Sequence, residues 1–276
     1  MDVVDRIIEQ ALYEDIFTGD ITIAALLPEP TEVCGSIIAK EEMVVAGMDV
    51  AVRVFHQLDP SIRIESHCSD GQRIPVGHQM AGIAGDARML LKGERVALNF
   101  LQRLSGIATL TARYVEAVAG TTTRIVDTRK TTPGLRILEK FAVRVGGGHN
   151  HRFGLYDGVL IKENHIAAAG GIAEAITRAR HYIPHTLKIE IEVESLDQLQ
   201  QALTAGADII MLDNMTLEQM RQAVVMADHR AILEASGGMT LERVRQVAEA
   251  GVDIISVGAL THSARAMDIS LLLEGA

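Results

Sequence analysis

Two segments in the second half of the chain repeat one unit, and this repeat constrains the fold more than any other feature. QALTAGADIIML (201–212) and RQVAEAGVDIISV (245–257) each contain a helical stretch ending in Ala-Gly, an aspartate and a short apolar strand. Gly206 and Gly251 stand where a helix C-terminus favours a left-handed backbone. Strands of this kind occur at about 123–127, 158–162, 187–193, 208–212, 231–235 and 253–257. Six strands alternating with helices predict a parallel α/β arrangement.

The third of these strands has a charged face, which favours a barrel over an open sheet. Its apolar residues alternate with charged ones, in the order Leu187, Lys188, Ile189, Glu190, Ile191, Glu192, Val193, Glu194. Alternating residues lie on opposite faces of a strand, whereas helices cover both faces of an open parallel sheet and make both apolar. We therefore expect an incomplete, about six-stranded α/β barrel whose lumen receives the acidic face. An exposed edge strand with a solvated face is the alternative.

The first part of the chain differs in pattern and predicts a separate α+β domain. Apolar residues at helical spacing predict helices over 1–14 and 47–58, and a long helix over 93–119 that leads into the barrel. Short apolar runs broken by Gly, Pro and Asp predict strands at 36–39, 43–46, 62–65, 80–83 and 87–91. We expect an N-terminal α+β sandwich domain over 1–115 and a barrel over 116–276, with a C-terminal helix packing back on the first domain.

The composition argues against several classes of function. The chain has 276 residues, 48% hydrophobic content and a net charge of −10, which suits a large core and disfavours a nucleic-acid or anionic-membrane surface. No apolar run is long enough to span a bilayer, and the acidic N-terminus lacks the regions of a signal peptide. We interpret the two cysteines, Cys34 and Cys68, as free thiols and expect a cytoplasmic protein.

A cluster of cationic residues in this acidic chain requires a local explanation. Residues 127–165 include the segments DTRKTTPGLR, GGGHNHRFGL and VLIKENH. The cations and histidines of this cluster are Arg129, Lys130, Arg136, Arg144, Arg152, Lys162, His149, His151 and His165. Such a cluster favours binding of a small, multiply charged anion.

The carboxyl ends of the predicted strands carry polar or glycine-rich residues, and an α/β barrel builds its active site at these ends. Backbone N–H groups unobstructed by side chains predict a phosphate site after the last two strands, at Ser236, Gly237, Gly238, Val257, Gly258 and Ala259. Glu192 and Asp213 fall on neighbouring strands and suit Mg²⁺ coordination. The alternative is that these carboxylates only neutralise cations such as Lys130 and Lys162.

Taken together, these segments resemble the quinolinate phosphoribosyltransferase family over essentially the whole chain. The matching segments are ALYEDIFTGDIT (11–22), GERVALNFLQRLSGIAT (93–109), DTRKTTPGLR (127–136), GGGHNHRFGL (146–155), LIKENH (160–165), LDN (212–214), EASGG (234–238) and SVGALTHS (256–263). The resemblance implies transfer of the phosphoribosyl group of phosphoribosyl pyrophosphate to quinolinate, with decarboxylation, to give nicotinate mononucleotide for NAD biosynthesis. It implies Mg²⁺ as cofactor and a homodimer with a shared active site.

The resemblance also implies roles for individual residues. Arg95 is expected to reach into the active site of a partner subunit. Arg129, His151, Arg152 and Lys162 are expected to line the quinolinate pocket, Lys130 is expected to lie between the two substrates, and Thr128 is also expected to bind substrate. The residues expected at the reacting centre are Lys130, Lys162, Glu192 and Asp213, and the two carboxylates are also expected to hold Mg²⁺, directly or through water.

Three other functions stay open from the sequence. A Schiff-base lyase on a phosphate-binding barrel would use Lys162 or Lys130 as nucleophile, although it leaves the arginines unexplained. A molybdenum-associated homologue would share the architecture. A non-catalytic homologue would bind a nucleotide or an oxyanion without turnover.

Overall fold

The computed structural model of the protein describes residues 2–274, which form two compact units. The first unit comprises the chain up to Ala112, residues 131–147 and the chain from Thr261 onward, and the second comprises Arg113–Lys130 and Gly148–Leu260. The domain boundary expected after residue 115 stays a prediction. Within the described range, no helix is both long enough and apolar enough to cross a membrane.

Helices and strands are numbered in chain order. The helices are α1 (Val3–Ile16), α2 (Ile21–Leu26), α3 (Met48–Leu58), α4 (Ala87–Ala117), α5 (Arg136–Val145), α6 (Glu163–Ala169), α7 (Ile172–Tyr182), α8 (Leu196–Thr204), α9 (Leu217–Ala227), α10 (Leu241–Glu249) and α11 (Ala259–His262). The strands are β1 (Glu32–Ala39), β2 (Met43–Val44), β3 (Arg63–Ser66), β4 (Arg73–Ile74), β5 (Gln79–Asp86), β6 (Arg124–Val126), β7 (Val159–Ile161), β8 (Ile189–Val193), β9 (Ile209–Asp213), β10 (Ile232–Ser236), β11 (Ile254–Ser256) and β12 (Ile269–Glu274).

The first unit contains an antiparallel four-stranded sheet in the order β12-β1-β5-β3. β1 pairs with β12 on one side and with β5 on the other, so that Ile37 lies opposite Leu271 and Ala81. The core of the unit contains Val54 and Phe55 of α3, which are buried. β2 and β4 form a separate two-stranded ribbon. The expected α+β organisation is confirmed.

Two local predictions for the first unit are wrong, and one helix was missed. The expected C-terminal helix is a strand, because β12 pairs with β1 along six residues from Ile269 to Glu274. Residues 87–91, expected as a strand, form the first turns of α4; the N–H of Arg88 donates to the Asp86 carboxylate at 3.0 Å and so begins the helix there. α2 was not predicted, although Asp20 caps it by accepting from the N–H of Ile23 at 2.8 Å.

The second unit is built on a six-stranded parallel sheet in the order β6-β11-β10-β9-β8-β7. Helices α7 to α10 pack against its strands, and each directs buried apolar side chains inward, among them Ile176, Leu199, Met220 and Val244. The six predicted strands and the incomplete α/β barrel are therefore confirmed. Gly206 and Gly251 have φ of 77° and 97°, as their predicted positions at helix C-termini require.

β8 shows how the alternating sequence is used. It pairs with β7 on one side and β9 on the other, so the alternative of an exposed edge strand is wrong. Its apolar residues Ile189, Ile191 and Val193 have no exposed surface. On the opposite face, Glu190 is buried and Glu192 is half-buried. The strand therefore brings two carboxylates to the inner face of the sheet.

Gly106, in α4, provides a test of packing in the first unit. A Cβ at this position would lie 1.9 Å from the backbone oxygen of Arg265. Alanine normally stabilises a helix by about 1 kcal/mol relative to glycine. Here we expect Gly106→Ala to lower the free energy of unfolding by about 1–3 kcal/mol, because the backbone must move to relieve the overlap. Urea unfolding measures this change.

Gly82→Ala, in β5, is the control for an alanine that fits, because the nearest atom to a Cβ at that position is 3.9 Å away. We expect this control to leave the free energy of unfolding unchanged or to raise it by up to about 1 kcal/mol, because alanine loses less conformational entropy than glycine on folding. Equal stability of Gly106→Ala and the wild type would contradict the described contact.

Candidate active site

A cavity of about 670 Å³ lies at the carboxyl ends of the second unit's strands. All six strands or the residues directly after them contribute to it, which is the arrangement expected of an α/β barrel active site. Its lining residues are Thr128, Arg129, Lys130, His151, Arg152, Leu160, Lys162, Glu192, Met211, Asp213, Asn214, Glu234, Ser236, Gly237, Gly238 and Ser256.

Most of the sequence-predicted site residues lie in this cavity, and four do not line it. The residues brought together are Thr128, Arg129, Lys130, His151, Arg152, Lys162, Glu192, Asp213, Ser236, Gly237 and Gly238. Val257, Gly258 and Ala259 directly follow β11 but are not among the lining residues. Arg95 is an exposed residue of α4, and its contact with a partner subunit stays a prediction. The lining residues that were not predicted as site residues are Leu160, Met211, Asn214, Glu234 and Ser256.

Asp127 organises the loop that carries His151 and Arg152. It follows β6, is fully buried, and accepts hydrogen bonds from the N–H of His151 at 2.9 Å and the side-chain amide of Asn150 at 2.5 Å. Exposed His149 forms a parallel bridge with Val126 beside these contacts. A buried carboxylate is favourable only when donors satisfy it, so this network ties the loop to the first strand of the sheet.

The tautomer of His151 follows from its hydrogen bonds. The N–H of Arg152 donates to Nδ1 of His151 at 2.8 Å, so this nitrogen uses its lone pair and carries no proton. The ring proton is therefore on Nε2, which lies 3.0 Å from Oε2 of Glu190. In this arrangement His151 is a neutral donor directed at a buried carboxylate.

Arg152 has the geometry of an anion-binding residue. Its Nη1 donates to the carbonyl of Gly158 at 3.1 Å, while its Nε is buried without a hydrogen-bond partner. Burial, and secondarily the charge of Arg129, lower the pKa of Arg152. A carboxylate ligand would supply the acceptor that Nε lacks.

Two carboxylates face the cations across the cavity. Glu192 forms an ion pair with Lys162, and Asp213 accepts from the side-chain amide of Asn214 at 2.8 Å. Both carboxylates are half-buried. The contact of Glu192 with Lys162 is the one expected if the carboxylates neutralise cations. The same hard oxygen donors at the mouth of a cavity also fit Mg²⁺, which takes carboxylates together with water and phosphate oxygens.

The turn after β10 requires glycine. Gly237 has φ of 90°, and a Cβ there would lie 2.1 Å from the side-chain oxygen of Asn214. The N–H of Asn214 in turn donates to the carbonyl of Ser236 at 3.0 Å. The ends of β9 and β10 are therefore in close contact, and the two glycines after Ser236 add no side chains of their own, as a phosphate site requires.

His165 has a structural role. Its Nδ1 accepts from the N–H of Lys162 at 2.9 Å across the first turn of α6, which stabilises the start of that helix. This contact holds the backbone of Lys162 at the end of β7.

Family comparisons agree with the site geometry along nearly the whole chain. The family model for the N-terminal domain of quinolinate phosphoribosyl transferase matches residues 20–105. The model for the C-terminal domain of the same family matches residues 107–272.

Relatives with known names and solved structures give the same result. A probable nicotinate-nucleotide pyrophosphorylase [carboxylating] of Bacillus subtilis is 46% identical over 267 residues, covering 96% of this chain and 92% of that protein. The corresponding protein of Mycobacterium leprae is 46% identical over 270 residues, covering 96% and 95%. The structure of the nicotinate-nucleotide pyrophosphorylase from Francisella tularensis superposes with a TM-score of 0.95 at 44% identity, covering 99% of this chain and 96% of that one. The chain therefore belongs to the quinolinate phosphoribosyltransferase family.

Proposed function

We propose that this chain transfers the phosphoribosyl group of phosphoribosyl pyrophosphate to quinolinate and releases pyrophosphate and CO₂, leaving nicotinate mononucleotide. The observation that carries the proposal is the cationic side of the cavity, above all Arg152 with its buried, unpartnered Nε. Both reactants are strongly anionic, and their mutual repulsion must be offset by cations for them to meet. The cavity supplies such cations in a chain whose net charge is −10.

Quinolinate binding is assigned to the arginines. Its two adjacent carboxylates suit the planar fork of a guanidinium, which holds a carboxylate through two parallel hydrogen bonds. Arg129 and Arg152 line the same cavity, and the carbonyl of Gly158 fixes one side of the Arg152 guanidinium. Thr128 and His151 complete this side of the cavity. Holding the ring in place directs its nitrogen toward the sugar, which is the main gain from proximity.

The ribose 5-phosphate is assigned to the turn after β10, where Ser236, Gly237 and Gly238 line the cavity. Glu192 and Asp213 would hold Mg²⁺, directly or through water. When bound, Mg²⁺ supplies positive charge that neutralises the departing pyrophosphate. Lys130 and Lys162 supply further positive charge in the same cavity.

Decarboxylation follows from the charge that ring transfer creates. Attack of the ring nitrogen on the anomeric carbon breaks the bond to pyrophosphate and leaves a cationic pyridinium. The carbon–carbon bond to the neighbouring carboxylate then breaks, its electron pair stays on the ring carbon, and CO₂ departs. The adjacent positive charge stabilises that electron pair until a proton from Lys130 or from water reaches the carbon.

The lyase alternative fits the site less well. A lysine that forms a Schiff base must attack as the neutral amine, and Lys162 is ion-paired with Glu192. A lyase also has no use for the arginines that line the cavity.

The assembly and location are also part of the proposal. We propose a homodimer in which Arg95 of each chain completes the active site of the other, because Arg95 is exposed and does not line the cavity of its own second unit. We place the protein in the cytoplasm, because Cys34 and Cys68 are free thiols and free thiols are typical of a reducing compartment.

The direct test is product formation. Incubation with quinolinate, phosphoribosyl pyrophosphate and Mg²⁺ is expected to yield nicotinate mononucleotide, pyrophosphate and CO₂ in equal amounts, measured by chromatography and release of labelled CO₂. Chelation of the metal with EDTA is expected to stop the reaction, and added Mg²⁺ to restore it, because the pyrophosphate charge is then neutralised again. Absence of product at every Mg²⁺ concentration would refute the proposed function.

Arg152→Lys tests the assigned carboxylate contact. Lysine keeps the charge but loses the fork, so we expect the loss of about 1.5–3 kcal/mol of quinolinate binding and a rise in quinolinate KM of about 10- to 100-fold. The KM for phosphoribosyl pyrophosphate should change little. Arg221→Lys is the control, because Arg221 pairs with Glu218 on the exposed face of α9 and its substitution should leave both constants unchanged. Equal effects on both substrates would remove Arg152 from the quinolinate site.

Subunit mixing tests the shared site. Arg95→Ala and Lys130→Ala are each expected to be inactive, since one lacks the residue from the partner and the other lacks its own cavity lysine. After random exchange about half of the dimers are mixed and each contains one intact site, so activity should approach about one quarter of the wild-type value. Exchange without recovery, with dimer mixing verified by mass spectrometry, would show that Arg95 acts within its own chain or not at all.

A further inference from the structure

Three titratable side chains meet inside the barrel, and the two carboxylates among them have no role in the reaction described above. Glu190 of β8 and Glu234 of β10 are 5% and 2% exposed. Nε2 of His151 lies 3.0 Å from Oε2 of Glu190 and 3.7 Å from Oε2 of Glu234. One nitrogen and two carboxylate oxygens of this cluster lie within 4.8 Å of one another. Glu234 also lines the cavity that contains Arg129 and Arg152.

The two carboxylates lack the counter-charge that a buried acid normally has. Glu139 of the first unit is fully buried and is ion-paired with Arg103 at 2.8 Å. Among the described residues, neither Glu190 nor Glu234 forms an ion pair with a lysine or arginine, and one oxygen of each is buried without a hydrogen-bond partner. His151 contributes a single N–H because its Nδ1 accepts from the N–H of Arg152.

Two ionised carboxylates in one buried layer are strongly unfavourable, and retention of one proton relieves the repulsion. Burial, and then the charge of Glu190, raise the pKa of Glu234 to about 7. His151, the hydroxyl of Ser256 on β11 and the more distant Lys162 act in the opposite direction. On the remaining neighbour, β9, the residue opposite Glu234 is uncharged Met211.

We propose that Glu234 is a positioning residue that must be a neutral carboxylic acid for quinolinate to bind. The proposal rests on quinolinate being the substrate. As a neutral acid, Glu234 leaves the positive potential of Arg129 and Arg152 available to the two carboxylates of the ligand. As a carboxylate, it adds a buried negative charge to the lining of the same cavity, where low dielectric makes repulsion of a dianion strong.

The pH dependence has a defined sign. Below about pH 7 Glu234 carries its proton, and quinolinate binds most tightly. As the pH rises through this value Glu234 loses its proton, so quinolinate affinity should fall, although both carboxylates of quinolinate are ionised throughout. Glutamine is close to glutamic acid in shape and has no proton to lose, so Glu234→Gln should bind quinolinate equally well at all these pH values.

Calorimetric titration of quinolinate into the full-length protein tests this between about pH 6 and about pH 9. For the wild type we expect the Kd to rise at least about tenfold over this range, and for Glu234→Gln less than about twofold. Glu194→Gln is the control, because Glu194 is exposed beyond the end of β8 and should keep the wild-type pH dependence. A pH-independent Kd for the wild type, or an unchanged pH dependence in Glu234→Gln, would overturn the proposal.

A second measurement needs neither substrate nor variant. Infrared spectroscopy of the wild-type protein should detect the carbonyl band of a buried carboxylic acid at about pH 6 that disappears toward about pH 9. Absence of this band would overturn the proposal even if Glu234→Gln failed to fold. Stoichiometric, high-affinity binding of Zn²⁺ or Mn²⁺ to the cluster would overturn the proposal as well, since the three side chains would then be metal ligands.

The outcomes separate this inference from the proposed function. If quinolinate is converted to product and its Kd does not depend on pH, the proposed role of Glu234 is wrong and the proposed function is still supported. If quinolinate neither binds nor reacts at any pH, the function itself is refuted.

Discussion

The carboxylate of Asp127 is the contact on which the rest of the site depends. It is fully buried after β6, and it draws the N–H of His151 and the amide of Asn150 toward the first strand of the sheet. With that loop in place, the next backbone N–H selects the tautomer of His151, and the side chain of Arg152 reaches the carbonyl of Gly158. One buried acid thereby orients both a neutral donor and a cation, although it is not itself among the residues that line the cavity.

The site also shows how a protein holds several like charges together before a ligand arrives. Lys162 is neutralised in part by Glu192, which lies on the adjacent strand. Arg152 has no such counter-charge on its Nε, and burial lowers its pKa. Keeping this arginine partly desolvated is unfavourable in the free protein, and the interaction with a bound anion offsets this free energy. Lys162 therefore mainly balances the charge of Glu192, whereas Arg152 is available to bind an anionic ligand.

The sequence predicts the second unit well because its information is local. The alternation in β8 places Glu190 and Glu192 on one face whatever the surroundings, and the repeat ending in Gly206 and Gly251 marks each helix-to-strand connection. The first unit is harder to predict because its sheet depends on pairing between distant segments. β12 joins β1 across more than two hundred residues, and six residues at the end of a chain contain no periodicity that separates a strand from a helix turn. The start of α4 at Ala87 depends on one side-chain contact of Asp86.

The meeting of Glu190 with Glu234 lies beyond sequence reasoning for a related reason. Each residue can be assigned to the lumen face of its own strand, but β8 and β10 do not pair directly; β9 lies between them. The two acids pair with different residues of β9, Glu190 with Ile209 and Glu234 with Met211, and only the three-dimensional arrangement of the strands brings both close to His151. In an α/β barrel, the inward-facing residues of alternate strands lie in the same layer. Two acids from distant parts of the sequence therefore influence each other's ionisation. This influence depends on how the strands of the barrel are arranged and cannot be assigned to either residue alone.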